Sequence, residues 1–445
     1  MTGAAEAIGR PAGTPRIATV DERRRAVLGA GVGTVIEWYD FLLYASAAAL
    51  VFNKLFFPKA DPLTGAMLSF STYALGFMAR PIGAVIFGHF GDRLGRKRLL
   101  MASLFLMGGA TFAIGFLPTF AQAGILAPVL LTALRLLQGV GVGGEWGGAM
   151  LMAAEYADPP RRGLWCAVVQ SGGAVGNLLA TAILAAMAAT LNEHDFLAWG
   201  WRVPFLFSAA LIGVGFWLRS AVAESPVFEA ALEEAEGAHA APILEVLRTK
   251  GGAVAIGVCL KLAENIAYYV ITAFALTYIT EVLKLPRTLA LVGVMAGGVA
   301  GALSMPLWGR LSDRIGRRPV YMLGAAGLAA WSFAFFPMVR LGSQAAIGGA
   351  IFVAVVIHSA MNGPQGAFIP ELFPTRVRYS GASLCYQLPA IIGGSLAPII
   401  AISLLRATGS TLAISAYVTA ACAISLVAAF IARETRGKTM AELDA

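Results

Sequence analysis

Charge is what this sequence has least of. Asp, Glu, Lys and Arg make up 13% of 445 residues against 58% apolar ones, and a soluble domain could not keep its surface in water with so few. Cysteine and histidine are as scarce, at four each. Cys166, Cys259, Cys385 and Cys422 stand singly in apolar stretches without metal-ligand spacing, so neither a disulfide framework nor a metal site is expected. There is no nucleophile motif and no phosphate loop, which argues against an enzyme, and no cofactor is expected. A cleavable leader is not expected either: residues 1–24 are polar and bear arginines, and the first apolar run carries Glu37 and Asp40. The alternating pattern of a membrane β-barrel is also absent. The net charge of +8 calls for no nucleic acid, because topology accounts for it.

What is present is a series of apolar runs of about 20 residues, each long enough for a helix to cross a hydrocarbon core of about 30 Å. The expected fold class is an all-α integral membrane protein with about twelve transmembrane helices, at 26–50, 65–89, 99–117, 122–146, 163–190, 202–219, 251–280, 288–309, 319–339, 343–369, 379–404 and 410–432. Basic residues concentrate before the first run, in alternate loops and in the tail, as at Arg23 to Arg25, Arg96 to Arg98, Arg161, Arg162, Arg317, Arg318 and Arg436. The positive-inside rule then makes both termini cytoplasmic.

The chain also repeats itself. Gly88-His-Phe-Gly-Asp92-Arg93-Leu-Gly95-Arg96 returns as Gly309-Arg-Leu-Ser-Asp313-Arg314-Ile-Gly316-Arg317, about half a chain later. Glu155 after the fourth run is answered by Glu371 after the tenth, and Glu224 after the sixth by Glu434 after the twelfth. The expected organisation is a cytoplasmic segment at 1–24, a six-helix half at 25–220, a linker at 221–250, a second half at 251–435 and a tail at 436–445. Two halves in one orientation are a parallel repeat about the membrane normal.

The few deep charges are therefore informative, since an ionisable group at mid-helix costs about 2.5 to 3.5 kcal/mol and should face protein or a watery cavity. At 1.5 Å per residue, Glu37, Arg80 and Arg135 all lie roughly 14 to 17 Å from the cytoplasmic ends of their helices, with Asp40 one turn further out. In the second half Lys261, Glu264, Asn265 and Tyr268 form a stripe at i, i+3, i+4, i+7 on the seventh run. His358 and Asn362 mark the tenth run and Gln387 the eleventh, with Tyr39, Tyr44, Gln170 and Asn177 completing the candidate lining. Each also has a plainer reading. The charges could pair within the bundle, Lys261 and Glu264 being one turn apart, and the amides could serve only interhelical hydrogen bonds.

The duplicated loop resembles the signature of the major facilitator superfamily, and Arg135-Leu-Leu-Gln138-Gly139-Val-Gly141 resembles that superfamily's fourth-helix motif. Glu37-Trp-Tyr-Asp40-Phe41, Phe77-Met-Ala-Arg80-Pro81-Ile-Gly83 and Glu371-Leu-Phe-Pro-Thr-Arg376-Val-Arg378 are similar to the metabolite:proton symporter family, whose members carry shikimate, α-ketoglutarate, citrate, proline or betaine. The segments Phe196 to Phe205 and Ile271 to Tyr278 resemble its shikimate branch. The resemblance implies a monomeric proton-coupled importer of a small organic acid in a plasma membrane, the inner one in a Gram-negative cell, driven by the proton gradient and working by rocking of the two halves. Alternatives are a proline/betaine-type zwitterion symporter, a uniporter or a proton-driven exporter. The osmosensing members carry a long coiled-coil extension that is not expected here. On this view Arg80 and Arg135, with Lys261 as a candidate third, take the substrate carboxylate, Asp40 and Glu37 carry the proton, and Arg135 takes part in the coupling. The loop motifs become a cytoplasmic gate: Gly88, Asp92, Arg93, Gly95, Arg96, Glu155 and Glu224 opposite Gly309, Asp313, Arg314, Gly316, Arg317, Glu371 and Glu434. Its ion pairs are expected to be surface pairs worth at most about 1 kcal/mol each.

Overall fold

The computed structural model describes residues 20–94, 96–143, 153–154, 157–221, 242–439 and 442–443, and among them there is no strand. Helices are the outcome that long apolar runs dictate, because a bilayer offers no water to backbone N–H and C=O groups and each segment must satisfy its own. The first half contains α1 (Val20–Ala47), α2 (Pro62–Leu94), α3 (Arg96–Ile114), α4 (Leu126–Gly143), α5 (Arg162–Thr190) and α6 (Arg202–Ala221). The second contains α7 (Pro242–Tyr269), α8 (Arg287–Ile315), α9 (Arg317–Arg340), α10 (Gln344–Phe368), α11 (Arg378–Pro389) and α12 (Leu412–Ile431). Ten helical stretches among the described residues are long and apolar enough to cross a membrane, while the apolar part of α3, Met101–Ile114, is shorter.

Three helices run on through π-helical turns. α1 continues through Ala48–Phe52, α7 through Val270–Phe274 and Tyr278–Val282, and α11 through Ala390–Gly394 into a further helix, Ala397–Thr408. The linker expected to end at residue 250 is helical from Pro242, and a kink at Lys250 (φ −129°, ψ 25°) sets off the part that enters the bundle.

Within the first half α2 packs on α4, and α4 on α3; within the second α8 and α9 both pack on α10, and α7 on α11 and α12. Between the halves α5 lies against α8 and α10, and α2 against Ala397–Thr408. Small residues make these approaches possible. A Cβ on Gly139 would stand 2.0 Å from the Gly76 carbonyl oxygen, so α2 and α4 touch backbone to backbone beside the deep arginines.

Candidate functional site

One face of α1 and one face of α2 build the first wall. Glu37, Phe41 and Tyr44 recur at helical spacing on α1, as do Tyr73, Phe77 and Arg80 on α2, and all six are buried. Arg80 stands over the rings of Phe41 and Phe77 at 4.2 and 4.3 Å. Arg135, from α4, stands over Phe41, Tyr44 and Tyr73 at 4.2, 4.4 and 4.5 Å. Both guanidinium groups therefore share the Phe41 ring, and Glu37 lies within the electrostatic reach of Arg80. Gly76 makes room for Arg135, since a Cβ there would lie 2.5 Å from its Nε.

Hydrogen bonding leaves this wall incomplete. Arg135 Nη1 donates to Gln138 Oε1 at 3.0 Å, yet its Nε and Nη2, the Nε of Arg80 and both carboxylate oxygens of Asp40 are buried without hydrogen-bond partners. Thr111 stands beside Asp40, but its hydroxyl donates to the Met107 carbonyl at 3.0 Å and accepts from Gln138 Nε2 at 2.5 Å. Buried polar groups are normally paired, so the orphaned atoms on a cation pair and an acid mark this cluster as the candidate site.

The second wall is different in kind. Lys261 Nζ meets Glu264 Oε2 at 2.6 Å and donates to Gln365 Oε1 at 3.2 Å, and the other Glu264 oxygen faces His358 Nε2 at 3.3 Å. Lys261 also stands 4.7 Å from the centre of the Tyr386 ring. The stripe read from the sequence is thus brought together, and its charges meet one another first. Asn265 Nδ2, His358 Nδ1 and Gln387 Oε1 are buried without partners.

Neutral groups join the two walls. Gln170 Nε2 donates to Asn362 Oδ1 at 3.1 Å and to the Tyr386 hydroxyl at 3.4 Å, and Asn177 Nδ2 donates to the Tyr268 hydroxyl at 3.1 Å. The Tyr73 hydroxyl meets that of Tyr269 at 3.1 Å. Two candidates turn elsewhere. Tyr39 donates to the Pro204 carbonyl on α6 at 2.6 Å, and the Tyr44 hydroxyl pairs with Thr72 at 2.6 Å, leaving its ring to Arg135. Sequence reasoning missed Phe41, Tyr73 and Phe77 as the arginine platform, although their helical spacing from Glu37 and Arg80 was the available signal.

At the end where α8 meets α9, the second copy of the loop motif ties the halves together. Arg317 binds Asp313 at 2.6 Å and Glu371 at 3.3 Å, and Arg162, from the first half, binds Glu371 at 2.9 Å. Asp313 accepts the Gly163 and Leu164 amides at 2.8 and 2.9 Å, capping α5, while Glu434 accepts those of Arg317 and Arg318. Arg314 enters through its carbonyl, which accepts from Arg436 at 2.6 Å. Gly316 holds φ at +114°, a value that only glycine adopts freely, which explains the glycine in the motif. These are not the surface pairs the sequence suggested: the side chains of Arg162, Asp313, Arg317 and Glu371 are 0 to 5% exposed. The reason is the approach of α5 to α8, where a Cβ on Gly309 would lie 2.5 Å from the Gly163 carbonyl oxygen. In the first copy, Gly88, Asp92, Arg93 and Arg96 lie on α2 and α3 with side chains beyond what the structure describes, and Gly95, Glu155 and Glu224 are outside the described residues.

The opposite end is joined by two exposed ion pairs and by contacts that are partly buried. Arg406 pairs with Asp61, Arg287 and Lys54 with Glu193, and Asn53 Nδ2 donates to Glu281 Oε1 at 3.2 Å. The Asp61 carboxyl is held below the usual carboxylate range by the Thr64 hydroxyl and by Arg406.

Comparison with known proteins places this geometry. Residues 30–398 match the family model of the Major Facilitator Superfamily. The chain is 40% identical over 424 residues to the shikimate transporter of Escherichia coli (strain K12), covering 94% of this chain and 96% of that one. It is 37% identical over 426 residues to the inner membrane metabolite transport protein YhjE of the same strain, covering 95% and 96%. The solved structure of the proton:xylose symporter XylE with 6-bromo-6-deoxy-D-glucose has the same fold, with a TM-score of 0.72 at 17% identity over 95% of this chain and 98% of that one. The chain belongs to the Major Facilitator Superfamily, and is a multi-pass membrane transporter of metabolites, not an enzyme.

Proposed function

We propose that this transporter imports a small organic acid (a shikimate-like acid, a dicarboxylate or an aromatic acid) together with protons, by rocking of its two halves around the site between them. The observation that carries the reading is the set of unpartnered buried atoms on Arg80, Arg135 and Asp40. A guanidinium fork matches a carboxylate bidentately, and the shared aromatic platform holds both forks in place without neutralising them. Asp40 has lone pairs free to take a proton beside Arg135, so carboxylate binding at the arginines and proton binding at Asp40 act on the same local charge. The 40% identity to a relative named as a shikimate transporter supports an acid as the cargo.

The remaining parts belong to the same reading. Twelve spans, cytoplasmic termini and an inner-membrane location belong to this proposal, supported by the apolar runs, by the basic residues in alternate loops and by a relative named as an inner membrane protein. The motif end then becomes the cytoplasmic gate, no cofactor is needed besides the proton gradient, and the monomer suffices as the functional unit. The test is counterflow in proteoliposomes with shikimate, oxoglutarate, citrate, aromatic acids, proline and betaine. Exchange of one or more acids, with accumulation when the outside is acidified, is expected. Exchange restricted to proline or betaine would overturn the acid, and accumulation indifferent to the pH gradient would overturn the coupling.

A further inference from the structure

The two walls of the site differ in how much charge they offer, and the difference bears on which acids fit. On the first wall Glu37 lies within reach of Arg80 and Asp40 stands beside Arg135, yet the guanidinium groups keep unpartnered donors: Nε of Arg80, and Nε and Nη2 of Arg135. On the second, Lys261 is the mid-helix cation among the described residues, and its ammonium is already engaged on three sides. It meets Glu264 at 2.6 Å, Gln365 at 3.2 Å and the Tyr386 ring at 4.7 Å. Glu264 is in turn held by His358 at 3.3 Å, and the side chains of Lys261, Glu264 and His358 are 0 to 7% exposed. A buried pair at that distance is close to neutral seen from outside, so a second carboxylate arriving there would lose its water without gaining a cation. The other groups on that side, Asn265 Nδ2, Gln387 Oε1 and the Tyr268 and Tyr386 hydroxyls, are neutral and suit hydroxyl or carbonyl groups.

We infer that Glu264 is a specificity-determining residue: by neutralising Lys261 it leaves the site a single cationic end, which selects acids with one carboxylate and hydroxyl groups over acids with two or three. This rests on the reading that Arg80 and Arg135 take a carboxylate. Removing the charge of Glu264 while keeping its shape frees the Lys261 ammonium, and a dicarboxylate spanning the site then gains its missing partner.

The experiment is counterflow in proteoliposomes with a matched pair of ring acids, 3-hydroxybenzoate and isophthalate, for the intact protein, Glu264→Gln, and Glu264→Gln combined with Lys261→Met. The intact protein is expected to favour the monocarboxylate at least tenfold, Glu264→Gln to shrink that preference at least tenfold, and the double variant, which leaves no unpaired charge, to restore it. An intact protein that takes isophthalate as well as 3-hydroxybenzoate overturns the inference without any variant and leaves the arginine reading standing. So does a ratio that Glu264→Gln does not move, a ratio that moves equally with Lys261→Met present, or loss of all exchange in both variants. An intact protein that exchanges no carboxylate at all overturns the arginine reading instead, and this inference with it.

Discussion

Phe41 is the residue on which the two deep arginines converge, and Asp40 precedes it on the same helix, so a substitution of one atom type can separate binding from coupling. Asp40→Asn keeps the side chain's shape and removes its capacity to carry a proton. We expect it to abolish accumulation driven by a pH gradient while substrate-for-substrate exchange survives; retained uphill uptake would remove Asp40 from the coupling. Gly76→Ala changes no charge, yet its Cβ would stand 2.5 Å from Arg135 Nε. Because the α2–α4 backbone contact leaves no slack, the guanidinium must move off its platform, and losing a desolvated cation–π contact of about 2 kcal/mol corresponds to a rise in KM of about tenfold or more. An unchanged KM would show that the arginine is not held for the substrate. Asp61 provides the control for pH. Its carboxyl is depressed below its ordinary pKa of about 3.9 by Thr64 and Arg406. A depressed acid contributes its interaction in full above that ordinary value and loses it only as pH falls below, so it is constant from pH 5 to 8. Asp61→Asn should therefore leave the shape of the transport–pH profile over that range unaltered, and a shifted profile would contradict it.

Among the elements, α5 and α8 carry the closest meeting of the two halves. A Cβ on Gly309 would lie 2.4 Å from Ala167 Cβ and 2.5 Å from the Gly163 carbonyl oxygen, the second of which is backbone and cannot swing aside. Gly309→Ala should wedge the motif end apart, slowing transport at least tenfold and increasing thiol labelling of a cysteine introduced into the central site from the proposed cytoplasmic side. Faster or unchanged transport would argue that this approach is not part of the cycle. Much of this arrangement was legible beforehand. A charge in an apolar run announces itself, which is why Glu37, Asp40, Arg80, Arg135 and the α7 stripe could be named from spacing, and the repeated Asp and Gly of the loop marked an end of the bundle. What the sequence hid is decided by rotation and depth of packing. Tyr39 differs from Asp40 by one position, or 100° about the helix, and that turns its hydroxyl to α6. The π-helical turns of α1, α7 and α11 begin variously with Ala, Val and Tyr and show no composition of their own. The burial of Glu371 depends on Arg162 arriving from the other half, a contact of residues 209 positions apart that no local pattern encodes.

For the whole molecule, the two ends of the bundle are closed by contacts of unequal strength. At the motif end the network of Arg162, Asp313, Arg317 and Glu371 is nearly waterless, and removing one partner of such a network leaves an unpaired buried charge, at a cost of about 3 to 5 kcal/mol. At the opposite end the Arg406–Asp61 and Lys54–Glu193 pairs are between a third and two thirds exposed, so water and salt screen them, and a single part-buried hydrogen bond from Asn53 to Glu281 stands beside them. With tenfold in population per 1.4 kcal/mol, the substrate-free protein should open at the opposite end, proposed as extracellular, far more often than at the motif end. Glu371→Gln should reverse that balance, and Asp61→Asn, which removes a solvent-screened pair, should change it by no more than about fivefold. Cysteine labelling of the central site from each side, with and without 0.5 M salt as a rough probe of screening, reads both populations. Greater labelling from the motif side in the unsubstituted protein, or an Asp61→Asn effect as large as that of Glu371→Gln, would mean that burial does not set which end yields first.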